Sequence, residues 1–230
     1  MEYYEVKVCI KMKEDRQNDK MYEAISSYIN YSILNDSRLS RVHKVNCFKF
    51  YTFSLPAPIE EDRIYKKGRL YSFNIRSISS ELVMRMARSL AKGCESFTVE
   101  GTSCNRYRFN AIDKLISLTP VVITLQNGRY LTMEDSDKIV KCLTNNAARK
   151  YKAYYGEPNE VEFISDFTVK NKRLIQMPYK NTCIMGNKID ITVKPDENSQ
   201  RLAHLIASVG IGEKNSLGAG YCKVIYRKEG

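Results

Sequence analysis

One order of elements, strand, helix, two strands, helix, strand, is written twice along this chain, and it restricts the fold more than any other feature. Tyr4, Val6, Val8, Ile10 and Met12 alternate with Glu5, Lys7, Cys9 and Lys11, the period-two pattern of a strand with one buried face. A polar link at 14–19 leads to Met21, Ala24, Ile25, Tyr28, Ile29 and Ser32, whose three-and-four spacing predicts a helix from Lys20 to Leu34. Extended segments follow at Phe48–Ser54 and Leu70–Arg76, with Pro56, Pro58 and Gly68 punctuating the link between them. Leu82, Val83, Met86, Ala87 and Leu90 mark a second helix, and Tyr107–Ile116 reads as the closing strand.

The second half repeats the order. Val121–Leu125 is apolar and β-branched, Ile139, Val140, Leu143, Ala147 and Tyr151 give an amphipathic helix, and Val161–Val169 and Ile189–Val193 alternate as strands. Leu202, Leu205, Ile206 and Val209 make a last helix before a last strand, Tyr221–Arg227. The expected fold is therefore α+β, two tandem ferredoxin-like (RRM-like) βαββαβ domains, each with two helices on one face of an antiparallel sheet. Pro120 disfavours a helical predecessor, so the division is expected near Ser117–Pro120, giving domains 1–117 and 118–230.

Composition narrows the function. Lys and Arg number 37 against 26 Asp and Glu, a net charge of +11, which favours polyanionic partners and nominates nucleic acid without proving it. The seven cysteines are scattered and never spaced C-x-x-C, and with only two histidines they form no zinc-ligand pattern, so free thiols are expected. No run approaches the roughly 18 apolar residues of a membrane span, and the acidic N-terminus carries no basic segment leading into an apolar stretch. A cytoplasmic chain with no membrane partner is expected. Glu60-Glu61-Asp62 and Glu134-Asp135 abut turns or helix starts, where negative charge favours the helix, so no metal and no other cofactor is expected.

Four of the eleven glycines fall in one short stretch, Gly210, Gly212, Gly218 and Gly220, as two G-x-G pairs between the last helix and the last strand. Glycine permits positive φ and lets backbone N–H groups approach a phosphate, so a phosphate or RNA-backbone cradle is one reading. A helix cap at Gly210 followed by a glycine-eased turn is the other.

The stretch from Val209 to Tyr221 resembles the C-terminal glycine-rich signature of the CRISPR repeat-processing endoribonucleases, in the repeat-associated RNA-binding superfamily. Further upstream, His43 followed by Phe48-Lys49-Phe50-Tyr51-Thr52-Phe53-Ser54 resembles that family's histidine and lysine run. The resemblance implies cleavage of precursor CRISPR RNA within its repeats, without metal, by 2′-hydroxyl attack that leaves a 2′,3′-cyclic phosphate and a 5′-hydroxyl. It implies catalytic roles for His43, Lys49 and Tyr28, with Tyr31, one turn further on, as the alternative tyrosine. Histidine suits proton transfer, as base, acid or both, and lysine supplies positive charge. RNA contacts are expected from Gly210, Gly212, Lys214, Gly218 and Gly220 and from Arg38, Arg41 and Lys44. The partner implied is the precursor repeat RNA, with other subunits of a CRISPR effector complex and a second copy of the chain as further partners. The rival reading is a non-catalytic RNA-binding subunit of a guide-RNA complex, which binds repeat RNA and does not cut it. His204 is expected half-buried on the last helix.

Overall fold

The computed structural model describes residues 1–34, 36–44, 48–125 and 127–228, with 41–44 described by backbone alone. The chain forms β1 (Glu2–Met12), β2 (Arg16–Gln17), α1 (Met21–Leu34), α2 (Ser37–Lys44), β3 (Tyr51–Phe53), β4 (Ile64–Tyr65), β5 (Leu70–Ser77), α3 (Ser80–Ser89) and β6 (Phe97–Arg108). It continues through β7 (Ile112–Ser117), α4 (Ser136–Tyr155), β8 (Ile164–Val169), β9 (Ile175–Tyr179), β10 (Thr182–Gly186), β11 (Ile189–Val193), α5 (Glu197–Val209) and β12 (Cys222–Tyr226). No described helix is long and apolar enough to cross a membrane.

Two four-stranded antiparallel sheets result, ordered β3-β5-β1-β6 and β12-β7-β11-β8. Within each half the strands stand fourth, first, third, second, up to the direction of reading, so both halves are ferredoxin-like. Val6, Val8, Ile10 and Met12 of β1 are buried with Ile25 and Ile29 of α1 and Val83 and Met86 of α3, as the alternating pattern requires. In the second half Ile112, Leu115, Ile139, Leu143, Ile189, Ile191, Leu202 and Leu205 form the matching core.

The sheets correct one expected strand. Tyr107–Ile116 is not continuous: Tyr107 and Arg108 end β6, whereas β7 starts at Ile112 and pairs with β11 and β12 in the second sheet. The apolar spacing shows why, because the buried Phe109, Ile112 and Leu115 lie three apart and not two. Gln200 of α5 holds the start of β7, accepting from the Ile112 N–H at 2.7 Å and donating to its carbonyl at 2.9 Å. We accordingly propose the division between modules at 109–111 and not at 117. A second correction concerns Val121–Leu125, which makes isolated bridges to Asn187, Glu213 and Tyr130 and no strand. With Pro120 before it, that segment serves as a brace for the glycine-rich loop: the Pro120 carbonyl accepts the Gly220 N–H and the Val122 carbonyl the Glu213 N–H, each at 2.9 Å.

The two halves are joined by a buried polar cluster. Arg76 of β5, 6% exposed, sits opposite Glu5 of β1 and donates to its carboxylate at 2.6 Å. It also donates to the carbonyls of Ala207 and Cys222 at 3.0 Å and to the Tyr221 hydroxyl at 2.9 Å, and Tyr221 in turn donates to Glu5 at 3.0 Å. One guanidinium thus holds the first sheet to α5 and β12 of the second half. Burial opposes its charge, but Tyr221 and Glu5 beside it more than offset that and hold its pKa above the ordinary arginine value.

Candidate nucleic-acid interface

All four loop glycines have positive φ, at 97°, 69°, 88° and 71° for Gly210, Gly212, Gly218 and Gly220. The case is plainest at Gly220, where a Cβ would stand 1.9 Å from the Ile211 carbonyl oxygen. The close approach is what allows Ile211 N–H to donate to the Gly220 carbonyl at 2.9 Å and so close the loop at its neck. Inside the closed loop the Asn215 amide donates to the carbonyls of Ile211 and Ala219, both at 3.0 Å.

Lys150 of α4 completes this arrangement. Only 2% exposed, it donates to the Gly210 carbonyl at 2.8 Å, the Gly212 carbonyl at 2.6 Å and the Asn215 Oδ1 at 2.7 Å. Three acceptors match the three N–H bonds of an ammonium, so the charge is fully coordinated although buried. Burial pushes its pKa down to about 7, with Glu213 acting in the opposite direction.

Beside the loop lies an open cleft of about 750 Å³. One wall is Phe48 to Tyr51 of the first half, a second is Asn146, Arg149, Lys150 and Ala153 of α4, and the third is Gly212 to Ser216. Lys49, Arg149 and Lys214, with the buried Lys150, bring four basic side chains to its lining, against one carboxylate, Glu213, which accepts from the Thr124 hydroxyl at 2.8 Å. Positive charge on three sides of a groove suits a phosphate chain. Among the described residues no three His, Cys, Asp and Glu side chains gather as a metal site.

Of the residues singled out in the sequence, Lys49, Gly212 and Lys214 meet at this cleft, although they are up to 165 positions apart in the chain. Gly210, Gly218 and Gly220 are buried within the loop's own fold, and a Cβ at Gly218 would meet the Phe53 ring at 2.6 Å. They shape the loop and do not line the cleft. Arg38 is exposed on α2, 3.5 Å from Glu81. His43, Arg41 and Lys44 close α2, but their side chains lie outside the described residues.

Tyr28 faces the first core, 1% exposed, edge-on to Phe73 and Phe97, with its hydroxyl donating to the Ala91 carbonyl at 2.9 Å. Tyr31, the alternative, is 62% exposed. His204 is half-buried as expected, stacked on Phe109 at 4.6 Å, and burial pushes its pKa down to about 4.

Sequence reasoning missed Asn146, Arg149 and Lys150. A signal existed for Lys150: it stands on the same buried stripe of α4 as Leu143, Ala147 and Tyr151, where a lysine is anomalous unless something accepts its protons.

Fold and site together define a tandem ferredoxin-like protein whose basic cleft is suited to a polyanion. The family described as CRISPR associated protein Cas6, C-terminal, matches residues 106–224, more than half of the chain. The chain is 26% identical to the CRISPR-associated endoribonuclease Cas6 2 of Methanocaldococcus jannaschii, over 96% of this chain and 99% of that one. Among solved structures, a CRISPR associated protein Cas6 superposes with a TM-score of 0.73 at 22% identity, over 97% of this chain and 99% of the other. An RAMP protein binding different RNA substrates superposes at 0.77 and 17% identity, over 96% and 99%. The chain belongs to the Cas6 family of CRISPR-associated, repeat-processing endoribonucleases.

Proposed function

We propose that the chain cuts precursor CRISPR RNA within its repeats by attack of a ribose 2′-hydroxyl on the adjacent phosphorus. The 2′-oxygen to phosphorus bond forms and the bond from phosphorus to the 5′-oxygen breaks, which leaves a 2′,3′-cyclic phosphate and a 5′-hydroxyl. A base takes the 2′ proton, an acid gives one to the departing 5′-oxygen, and cations balance the charge added to the phosphorane. Atoms and protons balance without a metal.

The observation that carries this reading is the cleft in which Lys49 of the first half and Arg149 and Lys214 of the second line a single groove beside the glycine-rich loop. Lys49 supplies charge at the reacting phosphate, and His43, six positions earlier, supplies the proton transfer. The tyrosine contact passes to the exposed Tyr31, because the hydroxyl of Tyr28 is committed inside the core. Gly212 and Lys214 hold the RNA backbone at the loop.

Incubating end-labelled repeat RNA with the protein in EDTA and mapping both new termini tests the proposal. Cutting is expected to persist, with a cyclic phosphate on the upstream fragment and a 5′-hydroxyl on the downstream one. Termini bearing 5′-phosphate and 3′-hydroxyl contradict it, and binding with no cutting identifies an RNA-binding subunit.

A further inference from the structure

Phe48, Lys49 and Phe50 border the cleft just ahead of β3, outside the alternation of a regular strand, whose successive side chains leave on opposite faces. At Phe50 the φ of 51° lies in the left-handed region, a true outlier for a bulky aromatic residue. Backbone of this kind persists only where its surroundings over-determine it. Here the anchor is visible: the Phe50 ring meets Tyr154 edge-on at 5.2 Å and packs against the core of the second half.

Phe48 is differently placed. Its ring centroid is 6.1 Å from that of Phe50, tilted by 53°, yet among the described residues it joins none of the three hydrophobic clusters. A half-buried phenyl ring is thus held on a cleft wall with Phe50 as its support. The lining around it carries Arg149 and Lys214, cations at the exposed end of the scale. Ring and cations side by side recognise a nucleotide: the base stacks on the apolar face and its phosphates meet the charges.

We propose that Phe48 is a stacking wall for one unpaired nucleobase of the RNA, with Arg149 and Lys214 holding the flanking phosphates. The inference rests on the reading of the cleft as the RNA site. It requires that the nucleotide entering the cleft be single-stranded, since a paired base keeps both faces inside its helix. Stacking tolerates any base, and purines, with the larger face, bind there more tightly than pyrimidines.

The test is a binding cycle in the His43→Ala background, so that the RNA stays whole. Synthetic RNA of one CRISPR repeat from the same genome is compared with a set of copies, each lacking the base at one position. With Phe48 present, one abasic position is expected to weaken binding by about tenfold, within the range for loss of a stacked base. In Phe48→Ala that penalty disappears while penalties elsewhere remain, and in Phe48→Tyr it returns. An abasic profile unchanged by Phe48→Ala overturns the subsite alone, whatever the overall affinity. Failure of the Phe48-containing protein to bind intact repeat RNA overturns the RNA reading of the cleft and the subsite with it.

Discussion

Replacing His43 with alanine is expected to slow cleavage of repeat RNA by about a hundredfold or more, with affinity for the RNA changed only a few-fold. The reasoning is chemical. A 2′-hydroxyl is a poor nucleophile while protonated and an alkoxide is a poor leaving group, so the reaction needs a group that exchanges protons near neutral pH. Histidine is the side chain whose ordinary pKa falls there. This chain has two, and His204 is stacked against Phe109 and held neutral by burial, in the second half. Single-turnover rates with saturating protein separate the chemical step from binding. An unchanged rate removes His43 from the reaction, and an equal loss of affinity and rate makes it a binding residue.

Arg76→Met is expected to cost about 3–5 kcal/mol of stability, because it strands a buried carboxylate at Glu5 and leaves two carbonyls without their donor. Glu5 is 5% exposed and keeps only the Tyr221 hydroxyl as a partner among the contacts of this cluster. Chemical denaturation of the variant measures the loss, and Glu5→Gln combined with Arg76→Met is expected to recover part of it, since the uncompensated charge is gone. A loss below about 1 kcal/mol would mean that the cluster does not hold the halves together. Because Lys49 comes from one half and Lys214 from the other, loosening the junction is also expected to weaken RNA binding, which a titration of repeat RNA against the variant checks.

What the sequence made legible follows from what periodicity reports. The alternation in β1 shows which face the helices cover, and Val6, Val8 and Ile10 are buried there. It does not show that the opposite face of the same sheet meets another module, where Arg76, in phase with Ser72 and Asn74, is buried. The same limit hid the junction between β6 and β7, where apolar residues change spacing from two to three.

At the site, the glycine pattern pointed to the loop, because four positive-φ positions leave few alternatives to glycine. Which parts of that loop face outward depends on its internal hydrogen bonds, and these bury all four glycines, Gly212 where the loop borders the cleft, while leaving Lys214 exposed. Tyr28 and Tyr31 differ by one helical step of spacing, and only packing against Phe73 and Phe97 tells them apart. Arg149 and Lys150 come from a helix with no local motif. Their part in the site exists only once α4 lies beside the loop.

The most direct test of the account places a single deoxyribose in the repeat RNA, at the nucleotide just upstream of the cut. The protein should bind this RNA as tightly as the all-ribose strand and fail to cut it, since the attacking oxygen is missing. Scission of the deoxy-substituted strand at the same bond and at the usual rate would show that the nucleophile comes from elsewhere.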